Sequence, residues 1–382
     1  MQKKYLMIPG PTPIPPEVTL AMSRPMIGHR SGDFAKLHER VVAKLKQVFK
    51  TQNDIFILTN SGTGGMEMAV ANVVNPGDEV LALSTGNFGE RFAKIAKEYG
   101  AKVDMVDFGW GNAVDLAVVE EKLRQNPNYK AVLATHNETS TGVKNDIAGI
   151  AALTKNHRAV LIVDAVSSLG GMEFDTDGWG VDVVVTGSQK ALMLPPGLAF
   201  ISFSQKALEA AQDNKNPKFY FSLPAAKKAL AEWNTAYTPA VSLFFGLEAA
   251  LDLILEEGLD KVIKRHKLLA KACREGVKAL GLKLFPAEEN ASDTVTAVAG
   301  DDRYDPEQLR KVLRTKYGVT FAGGQKDLKG KIFRIGHMGY VDKLDIIVAI
   351  GALEMALKEI GYPVELGAGV KKAMEVITGG EA

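Results

Sequence analysis

The sequence predicts an α/β protein: a large domain built on a mainly parallel sheet with helices on both faces, followed by a smaller α+β domain. Three observations carry this expectation. Short apolar runs such as "DIFILT", "EVLALS", "VLIVDA" and "VDVVVTGS" alternate with stretches of helical period, the pattern of βαβ units. "AVLATH" and "VLIVDA" are almost uninterrupted by polar residues, as strands buried on both faces are. Beyond about residue 205 the alternation gives way to long helices and isolated strands.

Taken in order, the start "MQKKYLMIPGPTPIPPEV" carries five prolines from Pro9 to Pro16, which predict extended chain over residues 1–20. A large domain over 21–258 and a small one over 259–382 are expected to follow. Phe34, Leu37, Val41, Leu45 and Val48 lie near helical spacing and predict a helix from Asp33 to Phe49. "DIFILT" reads as a strand, "NSGTGG" as a loop and "MEMAVANVV" as a helix. "EVLALS" is the next strand, "GERFAKIAKEYG" a helix and "KVDMVDF" a short strand. "DIAGIAALTKNH" is helical between the two buried strands, and "VDVVVTGS" and "LAFISF" complete the sheet. A long helix is expected over 241–257, and in the small domain helices over 259–280, 306–318 and 343–360, with strands over 294–299 and 332–337. The tail "GVKKAMEVITGGEA" reads as a terminal helix.

Composition narrows the function. With 382 residues, 46% hydrophobic and 24% charged, the chain can bury a large core. A formal net charge of +1 gives no basic field for nucleic acid. Prolines break the start before an apolar run reaches signal-peptide length, and no stretch of 18 apolar residues predicts a membrane span. The single cysteine, Cys273, excludes an internal disulfide and a cluster held by several of the chain's own thiolates. A cytoplasmic protein is expected.

Ligands of open α/β sheets collect at the carboxyl ends of the strands. Four polar groups lie there: Ser61-Gly62-Thr63, the "HNETSTG" segment, Asp164, and Gln189-Lys190. Each alone has a plainer reading: the serine and the aspartate as helix caps, the lysine as a solvated surface group. Together they make one chemical statement. A helix N-terminus binds phosphate. A carboxylate holds a protonated ring nitrogen, and a lysine forms a Schiff base with an aldehyde. Phosphate, ring nitrogen and aldehyde are the three handles of pyridoxal 5′-phosphate.

"VDAVSSLGG" and "GVDVVVTGSQKALMLPPG", with "IPGPTPIPPEV", "MIGHRS", "HNETSTGV" and "GKIFRIGHMGY", resemble the class V aminotransferases, most closely alanine–glyoxylate and serine–pyruvate aminotransferases. The likeness spans nearly the whole chain in order. It implies a PLP-dependent transferase of fold type I with a seven-stranded type of large-domain sheet. It also implies ping-pong transfer of an amino group from a small amino acid, alanine or serine, to a 2-oxo acid, glyoxylate or pyruvate. By the resemblance, Lys190 forms the Schiff base and moves the proton, and Asp164 keeps the ring nitrogen protonated. Ser61, Gly62, Thr63 and Gln189 contact the phosphate; the family often has histidine where Thr63 stands. Phe88 stacks on the ring, where mammalian relatives carry tryptophan. Thr139 lies beside the phenolic oxygen, and Arg334 grips the substrate carboxylate. In the family, the segment matching "NTAYTP" reaches the partner subunit's phosphate, which implies a homodimer with a shared site and a contact from Thr235 or Thr238. Read locally, Thr238 and Pro239 are a cap and first turn of a helix.

Rival readings stay in view. A desulfurase or other lyase of the same fold would need a mobile nucleophilic cysteine, whereas Cys273 lies in a helical run. An aspartate donor would need a second cation, for which Arg30 and Lys326 are candidates. A non-enzymatic hydrogenase subunit, the label of some relatives, finds no cluster or metal-ligand spacing in the sequence.

Overall fold

The computed structural model describes residues 3–379. Its strands, in chain order, are β1 (Tyr5–Met7), β2 (Ile55–Leu58), β3 (Glu79–Ser84), β4 (Lys102–Asp107), β5 (Ala131–Thr135), β6 (Asn137–Glu138), β7 (Val143–Lys144), β8 (Val160–Asp164), β9 (Val183–Gly187), β10 (Ala199–Phe203), β11 (Lys283–Leu284), β12 (Val295–Ala299), β13 (Val319–Gly323) and β14 (Ile332–Gly336). Seven of them form one sheet in the order β2-β10-β9-β8-β5-β3-β4. From β4 to β9 every pairing is parallel. Strand β10 alone is reversed, antiparallel to both β9 and β2. The segment between β9 and β10 contains no helix, and a parallel return needs a crossover that this turn does not supply.

The second sheet runs β1-β13-β14-β12-β11. Its first strand comes from the N-terminus and lies parallel to β13, with Tyr5 opposite Val319. Each sheet has its own apolar cluster: Phe34, Phe92, Phe200 and Phe244 lie in one, Phe321, Phe333 and Leu353 in the other.

The structure differs from the sequence reading in local features. The chain turns helical at Pro16 (Pro16–Met22), because proline at a first helical position needs no N–H partner. The helix after β2 begins within the glycines, at Gly62, and not at Met66. Added Cβ atoms on Gly62 and Gly65 would sit 2.7 Å from Val166 and Val185, so glycine lets the first turn press against the strand ends. "HNETSTG" supplies β6 and the turn of a short hairpin closed by β7. The helix expected over 306–318 is α-helical only to Val312 and continues as a wider π turn over Leu313–Tyr317. Helices Leu116–Gln125 and Leu223–Leu230 and strand β13 were not legible from periodicity.

Candidate active site

Strands β5, β8 and β9 end side by side, with Thr135 opposite Asp164 and Asp164 opposite Val185. Lys190 follows β9 in a tight turn. Ser188 Oγ donates to the carbonyl of Pro195 at 2.7 Å, and Leu194 N donates to the carbonyl of Ser188 at 3.1 Å, so the two prolines close a stiff loop. The N-terminal segment crosses this loop: Thr12 Oγ1 donates to the carbonyl of Lys190 at 2.9 Å. Lys190 Nζ donates to the carbonyl of Pro9 at 2.8 Å. The residue keeps some exposure, but its amine end is enclosed, and burial lowers its pKa to about 8. Arg334 and Arg91 push in the same direction and Asp164 opposes them.

Asp164 is 4% exposed at the end of β8. Its Oδ1 accepts from Val166 N at 2.9 Å, and Oδ2 accepts no hydrogen bond among the described residues. Burial raises its pKa to about 6; the Val166 N–H opposes that rise and the nearby Glu138 adds to it. Lys190 and Asp164 thus feel each other's charge in one enclosed site, and burial shifts the lysine down and the carboxyl up.

At the start of helix Gly62–Val73, Ser61 has the extended backbone of an N-cap, but its side chain caps nothing. The amides of Gly62 and Thr63 make no hydrogen bond among the described residues, while Gly64 N donates to the Ser61 carbonyl at 2.9 Å; two open amides at a helix start are the geometry that receives an anion. Both amide atoms of Asn60 and Oε1 of Gln189 are buried there without a hydrogen-bond partner among the described residues. Buried polar groups rarely stay unpaired, so these orphans mark a place for a ligand. Asn60 was missed in the sequence; its position directly before "SGTGG" is the only signal for it.

Phe88 stands in the first turn of helix Asn87–Glu98, half-buried. The guanidinium of Arg91 lies 4.8 Å from its ring centre, and Arg91 Nη1 donates to Thr63 Oγ1 at 3.3 Å. Arg91 was also missed, although its i,i+3 spacing from Phe88 in "NFGER" puts both on one helix face. Thr139 Oγ1 lies 2.6 Å from Ser167 Oγ, and the Thr139 carbonyl accepts from Arg334 Nη1 at 2.7 Å. Arg334 also donates through Nε and Nη2 to the carbonyl of Gly323, at 3.0 and 2.7 Å. Three of its five donors are used, leaving one N–H on each Nη. Burial lowers its pKa only to about 10, so it stays charged.

Thr235 and Thr238 stand apart: no hydrogen bond links either to the Lys190 cluster among the described residues. They line a separate pocket with His38, Phe56 and Tyr220, and Thr235 Oγ1 donates to the carbonyl of Tyr237 at 2.7 Å. Of the two candidate second cations, Lys326 is paired with Glu90 at 2.5 Å. Arg30 donates to Asn234 Oδ1 and to the Thr235 carbonyl, both at 2.6 Å. Cys273 is buried in helix Leu259–Ala279, where burial pushes its thiol up to about 11 and leaves it unreactive. The residues present fit pyridoxal 5′-phosphate: an open helix start with orphaned polar atoms for phosphate, a free carboxylate oxygen for the ring nitrogen, an aromatic face and an enclosed amine.

A family model described as aminotransferase class-V matches residues 4–337. The chain is 40% identical to an L-aspartate–glyoxylate aminotransferase of Paracoccus denitrificans, covering 97% of this chain and 95% of the relative. It is 39% identical to a serine–glyoxylate aminotransferase of Arabidopsis thaliana, covering 97% and 94%. The crystal structure of a pyridoxamine–pyruvate aminotransferase from Mesorhizobium loti superimposes with a TM-score of 0.95 at 34% identity, covering 99% of this chain and 98% of the other.

Proposed function

The chain belongs to the class-V aminotransferases, and from that premise we propose that it moves an amino group from alanine or serine to glyoxylate or pyruvate by a ping-pong mechanism. The protein is a pyridoxal-phosphate-dependent transaminase. The observation that supports transamination of an α-amino acid is the convergence of Lys190, Asp164 and Arg334 in one enclosed cluster, with one unused N–H on each Nη of Arg334.

When bound, the cofactor supplies an electron sink for the pair left at the substrate's α-carbon. The chain does the rest. Ser61, Gly62, Thr63 and Gln189, with Asn60, hold the phosphate; Asp164 Oδ2 holds the ring nitrogen; Phe88 presents a ring face and Thr139 a hydroxyl. Lys190 holds the cofactor covalently, and its amine, once free, takes the proton from the substrate's α-carbon. A pKa of about 8 suits that task, since a neutral amine is the base. Arg334 binds the α-carboxylate common to every donor and acceptor, so one site serves both half-reactions. Thr235 or Thr238 is assigned to the phosphate of a second subunit in a homodimer, and composition favours the cytoplasm.

A second reading, aspartate as donor, is favoured by the Paracoccus relative. It needs a cation for the second carboxylate. Lys326 is already paired with Glu90, which leaves Arg91, beside Thr63 and Phe88, as the cation within the site. A donor–acceptor matrix decides: alanine, serine, aspartate and glutamate against glyoxylate, pyruvate, oxaloacetate and 2-oxoglutarate. Highest kcat/KM for alanine or serine with glyoxylate or pyruvate supports the first reading. Highest kcat/KM for aspartate overturns it.

A further inference from the structure

Glu138 is fully buried between two segments that the reaction uses. Its Oε2 accepts from the backbone N–H of Phe88 at 2.9 Å and of Gly89 at 3.1 Å, in the first turn of helix Asn87–Glu98. Its Oε1 accepts from Ser140 N at 3.1 Å and from Ser140 Oγ at 2.5 Å. The helix's own N-cap is Gly86, which has no side chain to offer. A Cβ there would lie 2.7 Å from Glu138 Cγ, so the glycine makes room for a carboxylate arriving from another segment. Four groups donate to Glu138: the N–H groups of Phe88, Gly89 and Ser140, and the Ser140 hydroxyl. Burial raises the pKa of Glu138, and its hydrogen bonds from Ser140, Gly89 and Phe88 oppose that rise, as befits a carboxyl capping a helix N-terminus.

The same residue anchors the other half of the site. Glu138 ends β6, and the next carbonyl along the chain, that of Thr139, fixes Nη1 of Arg334. One buried carboxylate thus ties the Phe88 turn to the hairpin that orients the substrate arginine. Resting on the transaminase reading above, we propose that Glu138 is a positioning residue that locks the Phe88 face and the Arg334 guanidinium into one geometry. Cofactor grip and carboxylate grip then weaken together when it is changed.

The test is Glu138→Gln, which keeps the shape but must turn an NH₂ toward one of the two donor pairs. In the cofactor-free protein, peptide-level hydrogen exchange should speed up over residues 86–91 and 138–141 by about tenfold or more, since a lost acceptor leaves buried amides unpaired. In the loaded enzyme, cofactor affinity should fall, its visible circular dichroism should change, and KM for alanine and for glyoxylate should rise together with kcat less affected. A merely structural role predicts a lower Tm with unchanged KM values and dichroism, and that result overturns the proposal. Should Glu138→Gln fail to fold, Ser140→Ala removes the hydroxyl that donates to Glu138 Oε1 and accepts from Asn87 N at 3.1 Å. It should give a smaller exchange increase over the same two peptides, and no change there also overturns the proposal. The exchange arm needs neither substrate nor cofactor, so it fails separately from the transaminase reading, which the substrate matrix tests.

Discussion

Lys190 Nζ donates to the carbonyl of Pro9 at 2.8 Å, across 181 positions of sequence. The next residue, Gly10, has φ +137, and a Cβ there would lie 2.7–2.8 Å from Lys190 Cδ, Cε and Nζ. The N-terminal segment is thus a wall of the site. Gly10→Ala should displace the lysine at an overpacking cost of about 1–3 kcal/mol, or roughly five- to a hundredfold in cofactor affinity. Borohydride reduction and peptide mapping give the check: full labelling of Lys190 in the variant rules the wall out.

Lys190 should also titrate abnormally. A shift from 10.5 to about 8 raises its neutral fraction at pH 7.5 by about 200-fold. The rate at which the cofactor-free protein takes up pyridoxal phosphate should rise with pH and level off above about 8. A rate still climbing through pH 10 would show an ordinary lysine.

Asp164 trades stability for function. Its folded pKa of about 6 exceeds the ordinary 3.8, so the folded protein holds the proton more tightly between those values. Stability of the cofactor-free protein is therefore drawn down as pH rises from about 4 to 6, and the full cost remains above 6. Asp164→Asn should make the cofactor-free protein more stable than the parent at pH 7, with little difference at pH 4. It should also slow transamination by orders of magnitude, because the ring nitrogen loses its counter-charge. Thermal melts at the two pH values and single-turnover rates test both halves; near-normal turnover excludes the role.

Arg334→Ala leaves a substrate carboxylate unpaired in a buried site, which costs roughly 2–5 kcal/mol, or about 30- to several thousand-fold in kcat/KM. The loss should be similar for alanine and glyoxylate. Arg334→Lys should recover little, because an ammonium cannot reach the Gly323 and Thr139 carbonyls and still present two parallel N–H groups. A loss confined to dicarboxylic substrates would mean that the arginine reads a side chain.

Thr235 and Thr238 lie in a pocket separate from Lys190, beside the exposed aromatics Phe219 and Tyr220. If a second subunit's cofactor meets this face, sedimentation should give a twofold dimer. Dilution below the dissociation constant should then release cofactor and activity together. A fully active monomer contradicts the shared site.

Much of the site was legible because its signals are local. Strand-end positions for Asp164 and Lys190 follow from apolar runs broken by turn residues, and the open helix start at Gly62 follows from glycines before a helical run. These patterns depend on neighbours within a few residues, so the sequence by itself determined the alternating fold, the cofactor class and the places of Lys190 and Asp164 at strand ends. Tertiary structure alone decided which groups face them. The reversal of β10, the Pro9 carbonyl over Lys190, Glu138 capping a helix that starts at Asn87, and Arg334 held by Gly323 and Thr139 all join segments far apart in the chain. Such pairings leave no periodicity in the sequence. They arise when two sheets close on each other and buried donors and acceptors must find partners wherever the chain brings them.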